Sequence, residues 1–322
     1  MDALSAVLRD MRLESAGYRY LELRAPWNIA FQQQNLRGVH IVVTGRCELV
    51  IDGEVDRLLE AGDLVVLPRA DPHSLCSPGA KKASPIPPDE IAARTEKGMA
   101  RLGGTGEQTT ILCGAFVFHE ADQTMLAALP HVIHVPAVNR SENTGEPSWL
   151  AAYVNTLKVE AMSATVGSDI VMARLSDALV ARALRFHAEN TPSEGWLSAA
   201  QDVHLARAIA AIHQSYERPW TLIALAKIAG LSRAAFAARF AEKVGEPPMQ
   251  YLLRCRMRRA MTILTKERGT LARAAESVGY GSEAAFSAAF KRHTGVAPGA
   301  FKREGSPTAD GKINRTTATQ IS

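Results

Sequence analysis

A doubled stretch near the C-terminus constrains this chain more than anything else in it. Residues 232–245 read SRAAFAARFAEKVG and residues 282–295 read SEAAFSAAFKRHTG, both fitting S-x-A-A-F-x-A-x-F-x-x-x-x-G. In each copy a proline stands three residues after the glycine (Pro248, Pro298) and an aromatic six after it (Tyr251, Phe301). Each copy predicts a short helix. Ser232 and Ser282 offer a hydroxyl to an orphan backbone N–H, the two phenylalanines four apart share a face, and glycine then proline ends the run. Upstream of each copy lies a short amphipathic stretch that closes on a glycine, residues 222–230 and 271–279. Helix, glycine-containing turn and second helix are the sequence form of a helix-turn-helix unit. A repeat with matched flanks has to be read first, because it sets the architecture around it.

Between the copies, Met249, Leu252, Leu253, Met257, Ala260, Met261 and Leu264 fall on one helical face. They predict one continuous helix about 26 Å long, a rod able to hold two recognition helices about one DNA turn apart, roughly 34 Å. Arg254, Arg256, Arg258 and Arg259 fall mostly off that stripe, either as a solvated basic face or as phosphate contacts. Charge agrees with the second option. The chain's net charge is +4, but residues 201–305 hold 17 of the 37 basic and 8 of the 33 acidic residues, a net of +9 against −5 elsewhere. Positive charge gathered on the repeat-bearing part is the footprint of phosphate binding.

Residues 202–304 resemble the DNA-binding domain of AraC-family transcription regulators. The resemblance rests on both helix-turn-helix units, the helix between them, and the run Val278-Gly279-Tyr280, Ser282–Ser287, Phe290-Lys291-Arg292 and Gly295–Lys302. It implies that each second helix reads double-stranded promoter DNA through Ser232, Arg233, Ala234, Ala237, Ala238 and Arg239 in the first unit. In the second unit the residues are Ser282, Glu283, Ala284, Ser287, Ala288, Lys291 and Arg292. Relatives often carry arginine where Ala238 and Ala288 stand. Alanine can meet a thymine methyl but cannot donate to guanine, so readout is expected to lean on methyl contacts and DNA shape.

The first third has a different texture. Short apolar runs at residues 18–23, 27–31, 38–43, 47–51, 63–67 and 108–118 are punctuated by Gly45, Asp52-Gly53, Gly62 and Pro68. Many short strands with such breaks predict a barrel or sandwich. Residues 40–49 (HIVVTGRCEL) and 62–75 (GDLVVLPRADPHSL) resemble the two motifs of cupin barrels, the sensor domains that are fused to AraC-family DNA-binding domains. Metal-dependent cupins supply two histidines and a glutamate from the first motif, whereas this chain has only His40, and Gly38 stands near the carboxylate position. His40, His73 and Cys113 are the candidate sensor residues. They would bind a metal ion or an effector, or be satisfied polar core residues. Cys113 is also a candidate redox thiol if its pKa is lowered. No cofactor is expected beyond that possible metal.

The expected fold is therefore α+β. Residues 1–136 form a cupin-like sensor barrel, and 137–200 a linker with a helical dimerisation segment. Residues 201–305 form the tandem helix-turn-helix domain, and 306–322 a disordered tail. The Pro-, Gly- and Lys-rich stretch 78–109 reads as a long mobile insertion. Residues 148–189 form an apolar helical hairpin larger than a small barrel needs, which predicts a homodimer. The runner-up function is a cupin-type metalloenzyme fused to a DNA-binding domain. No G-x-S-x-G, H-E-x-x-H or Walker pattern supports it. RNA polymerase and an unidentified effector are the further expected partners. There is no apolar run of about 18 residues for a membrane span and no secretory signal at the N-terminus. The cysteines show no paired spacing, so a reducing, cytoplasmic setting is expected.

Overall fold

The structure is a computed structural model and describes residues 2–32, 36–96, 99–118, 123–137, 149–163, 165–191 and 195–304. The linker expected at 137–147, Ala137 apart, and the tail at 306–322 lie outside these residues. In chain order the elements begin with α1 (Ala3–Met11), β1 (Leu13–Arg24), β2 (Asn28–Phe31), β3 (Arg37–Thr44), β4 (Arg46–Ile51), β5 (Glu54–Glu60), β6 (Leu64–Leu67) and β7 (His73–Cys76). Next come α2 (Pro88–Ala93), β8 (Thr95–Glu96), β9 (Met99–Gly103), β10 (Gln108–Phe118), α3 (Gln123–Ala127) and β11 (Ile133–Val135). The remainder is helical: α4 (Trp149–Ser163), α5 (Ser168–Asn190), α6 (Gly195–Gln201), α7 (Leu205–Gln214), α8 (Leu222–Ala229) and α9 (Arg233–Val244), then α10 (Pro248–Thr265), α11 (Leu271–Ser277), α12 (Glu283–Thr294) and α13 (Pro298–Glu304).

The chain divides into two compact units. Among the described residues, the first holds those of 13–118 and 129–190, and the second those of 2–12, 123–128 and 191–304. This differs from a single sensor domain over 1–136, because α1 and α3 pack in the helical unit.

In the first unit, two sheets enclose an apolar core, as the strand pattern predicts. The seven-stranded sheet runs β11-β6-β3-β10-β1-β9-β8 and the four-stranded sheet β2-β7-β4-β5. Alternate residues such as Leu21, Leu23, Leu49, Leu75, Ile111 and Cys113 meet inside, as period-two side chains must when one sheet face is buried. The stretch 78–109 is not the loose insertion expected. It carries α2, and β9 pairs parallel to β1 from Tyr20↔Met99 to Arg24↔Gly103. Its loop-like composition hid a local alternation: Ala100 and Leu102 are buried while Arg101 between them is exposed. The charged strand β5 was likewise not legible. It is an edge strand whose side chains lie mostly in solvent, so it needs no apolar face.

The α4–α5 hairpin belongs to this unit. Leu179, Val180, Ala183 and Leu184 are buried, and α5 packs on β1 and β11. Much of the apolar pattern that pointed to a dimer is thus used within the chain. Val159, Val166, Ile170 and Val171 stay exposed.

In the second unit, the two copies of the repeat fold alike. Ser232 and Ser282 cap α9 and α12, accepting from the N–H of Ala235 and Ala285 at 3.2 Å each. Gly245 and Gly295 end them at φ 86° and 83°, a left-handed conformation that costs glycine little. Phe236, Phe240, Phe286 and Phe290 are fully buried, so the shared face at i and i+4 is the inward one.

Candidate functional site

The outward face of α9 and α12 follows from that burial. Arg233, Ala234, Ala238 and Arg239 on α9 are exposed and Ala237 is half-buried. On α12, Glu283, Ala284, Ala288, Lys291 and Arg292 are exposed and Ser287 is half-buried. Ala234 and Ala284, Ala237 and Ser287, and Ala238 and Ala288 are equivalent positions of the repeat, so each unit presents a face of small side chains; the flanking cations, Arg233 and Arg239 on α9 and Lys291 and Arg292 on α12, stand at positions that are not equivalent. Small side chains on a helix permit close approach to a groove, and cations beside them attract phosphate.

Several arginines that sequence offers as phosphate contacts or as a solvated basic face are committed elsewhere. Arg239 is held by the Asp202 carboxylate at 2.6 Å, and Asp202 is itself nearly buried and accepts the N–H groups of His204 and Leu205 at the start of α7. Arg254 pairs with Glu246 at 2.6 Å and Arg259 with Glu267 at 2.5 Å. Arg256 donates to the carbonyls of Tyr216 and Arg218, fixing the turn before α8. Arg258 is buried. The linking helix therefore spends its charge on bracing its own unit. For Arg239 and Arg256 the reason was invisible in sequence: their partners come from elements 37 to 40 residues away.

In the barrel, His40 on β3 and His73 on β7 come from opposite sheets and meet. Their Nε2 atoms are 2.8 Å apart, and both residues are buried. Phe31 stacks on His73 with ring centroids 4.9 Å apart and planes 13° apart. Gly38 makes the meeting possible. A Cβ there would lie 2.8 Å from His40 Nε2 and 2.8 Å from His73 Cε1, closer than carbon and nitrogen tolerate. The residue missing from the expected ligand set is thus the one whose absence lets the two imidazoles touch.

The protonation of the pair follows from its partners. His73 Nδ1 lies 2.8 Å from the Asp71 carbonyl. A carbonyl only accepts, so Nδ1 carries the proton and His73 Nε2 is left as an acceptor in the neutral ring. His40 Nε2–H must then donate to it, and His40 Nδ1 is a bare lone pair. That atom is buried and has no hydrogen-bond partner among the described residues. Both rings are kept neutral. Burial, then the neighbouring His73, holds His40 well below the ordinary imidazole range, and burial lowers His73 against the pull of Asp71.

The residues present do not make a metal site. Two imidazoles sharing a tetrahedral ion at about 2.0–2.1 Å would sit about 3.3 Å apart, not at hydrogen-bond distance. Among the described residues no three His, Cys, Asp or Glu side chains gather as a ligand set. Cys113 pairs in register with His40 across β10 and β3, but burial, then the nearby Cys47, pushes its thiol well up. This is the reverse of the lowered pKa that a redox role for Cys113 requires. His131 and His134, three apart in sequence, diverge: His131 pairs with Asp71 and His134 with Asp63.

Residues 2–189 match a family model described as Cupin, and residues 225–304 match one described as Helix-turn-helix domain. The chain is 33% identical over 307 residues to an AraC-like transcription regulator of Streptomyces lividans, covering 94% of this chain and 98% of that one. It is 32% identical over 311 residues to another from Streptomyces antibioticus, covering 95% and 100%. It is 28% identical over 308 residues to the HTH-type transcriptional regulator AlkR of Acinetobacter baylyi, covering 94% and 100%.

Proposed function

The chain belongs to the AraC-like DNA-binding transcription regulators, and on that premise we propose that its barrel is the sensor, taking a small-molecule effector at the His40–His73 pair. The observation that carries this reading is the bare Nδ1 lone pair of His40 inside an apolar barrel. A buried polar atom left unpaired costs about 1–3 kcal/mol, a penalty a ligand can relieve. Because the atom is an acceptor, the effector presents a hydroxyl or N–H donor on an otherwise apolar body. The relatives named above are transcription regulators, and a metalloenzyme reading finds no ligand set among the described residues.

The test is a thermal-shift screen of hydroxyl- and amide-bearing small molecules against the full chain and its His40→Phe variant. Ligand at a hundredfold excess over its Kd adds about 2.7 kcal/mol, a shift of roughly 5–10 °C for a barrel of this size. Compounds that stabilise the wild type, leave His40→Phe unmoved and alter DNA affinity support the reading. A hit set that stabilises both proteins equally removes His40 from the site.

Promoter DNA is the partner of the helical unit. RNA polymerase and a second copy of the chain complete the proposed assembly. The dimer contact is assigned to the exposed Val159, Val166, Ile170 and Val171 of the hairpin, since apolar side chains grouped on one hairpin and open to solvent suit an interface. Ile170→Asp with Val171→Asp should give monomers in sedimentation at concentrations where the wild type is dimeric. Leu179 is the wrong place to test this, because it is fully buried within the chain. A double variant that sediments with the wild type places the interface elsewhere.

A further inference from the structure

Helix α1 falls within the span that matches the Cupin model, residues 2–189, yet it packs in the helical unit against α6 and α7. Its face of Ala3, Ala6, Val7, Leu8 and Met11 is buried there. At its end, Asp10 enters a buried polar cluster. The Asp10 carboxylate accepts from His213 Nδ1–H on α7 at 2.5 Å and lies 3.7 Å from the Arg258 guanidinium on α10. His213 Nε2 lies 2.7 Å from the Tyr251 hydroxyl, and the Cys255 thiol is a further neighbour. Tyr216 approaches from the end of α7. The second segment from the N-terminal half arrives at the same arginine. Arg258 also reaches the Met125 thioether of α3, and the Met125 carbonyl accepts from Trp196 Nε1 at 3.0 Å.

Both segments are continuations of adjacent strands. Helix α1 runs through Arg12 straight into β1, and the chain leaves β10 toward α3. Leu13 at the start of β1 pairs with Phe118 at the end of β10, and β10 also carries Cys113, the register partner of His40. The strand next to the histidine pair and the strand beside it thus each end in a segment that grips Arg258 of the helix joining the two helix-turn-helix units.

We propose that α1 and α3 form a latch on α10: docked, they complete the charge pairing of Arg258 and hold the two recognition helices in their DNA-binding arrangement; released, they leave it loose. A buried guanidinium deprived of its carboxylate is strongly disfavoured, so release cannot be silent for α10. In the docked state burial works to lower His213, but Cys255 and Asp10 hold it above its ordinary value. The latch is independent of which molecule enters the barrel, so it stands or falls separately from the sensor reading.

The experiment uses the full chain and a duplex obtained by binding-site selection. Asp10→Asn keeps the shape and a hydrogen-bond acceptor but removes the charge. It should weaken DNA binding at least 10-fold per folded molecule and raise hydrogen exchange of the α10 amides by a similar factor. In an Arg258→Met background the same substitution should change affinity less than 3-fold, the non-additivity expected of residues that act on each other. Ser5→Gly with Arg9→Gly, both exposed on α1, lowers helix propensity without touching the docking face. It should cost a few-fold in affinity, and it keeps the test open if Asp10→Asn does not fold. Wild-type affinity and α10 protection in whichever of these variants folds would overturn the latch. So would equal losses from Asp10→Asn in the wild-type and Arg258→Met backgrounds.

Discussion

Replacing Ala288 with aspartate should abolish DNA binding and leave the protein folded. Ala288 is exposed on α12, while the aromatic anchors Phe286 and Phe290 of the same helix are fully buried. A solvent-facing substitution there changes stability by no more than about 0.5 kcal/mol. At the DNA surface the same carboxylate faces phosphates and can accept only from cytosine N4. We expect the affinity for a selected duplex to fall at least about 100-fold, roughly 3 kcal/mol by the 1.4 kcal/mol per decade rule. Unchanged circular dichroism and melting would accompany the loss. The complementary Ala288→Arg should keep binding and add a preference for guanine at one position, worth about 1–3 kcal/mol. If Ala288→Asp binds like the wild type in fluorescence anisotropy, the exposed face of α12 is not the reading face.

The second large effect is ionic. With Arg239, Arg254, Arg256, Arg258 and Arg259 engaged inside the unit, the charges left to meet phosphate include Arg233, Lys243, Lys291 and Arg292, all exposed. A dimer using about six phosphates in all would give a log–log salt slope near −5, and its affinity would drop about 1000-fold between 50 and 200 mM salt. Arg292→Ala should make that slope shallower by about 1 per protomer bound and weaken different duplexes equally. Arg259→Ala should leave the slope alone, since its partner is Glu267. A slope unaffected by Arg292 and reduced by Arg259 would invert the assignment of these two side chains.

What the sequence determined by itself was whatever depends on local pattern. The caps Ser232 and Ser282, the inward phenylalanines, the left-handed glycines and the continuous helix between the copies are all encoded within a few residues of where they act. Capping and i,i+4 packing are short-range effects, and the repeat states them twice. The strands with alternating or continuous apolar runs were legible for the same reason. The edge strand β5 was not, because its side chains lie mostly in solvent, and β9 was not, because its short alternation of Ala100 and Leu102 is set in a loop-like composition.

The tertiary structure alone decided how the charged and titratable groups pair. Arg258 reads as a surface cation by helical position, but it is buried between Asp10 and Met125, residues more than a hundred positions away. Sequence left His40 and His73 open between a metal ion, an effector and satisfied polar core residues; in the fold they hydrogen-bond to each other because Gly38 leaves room. Cys113 was a candidate redox thiol, yet burial pushes it up. Burial also works to raise Cys255, but His213, then Arg258 and Arg254, bring it below its ordinary value. Helix α1 reads as the start of the sensor, yet it completes the DNA-binding unit. Electrostatic partners and burial are set by which distant segments fold together, and no window of sequence contains both members of such a pair.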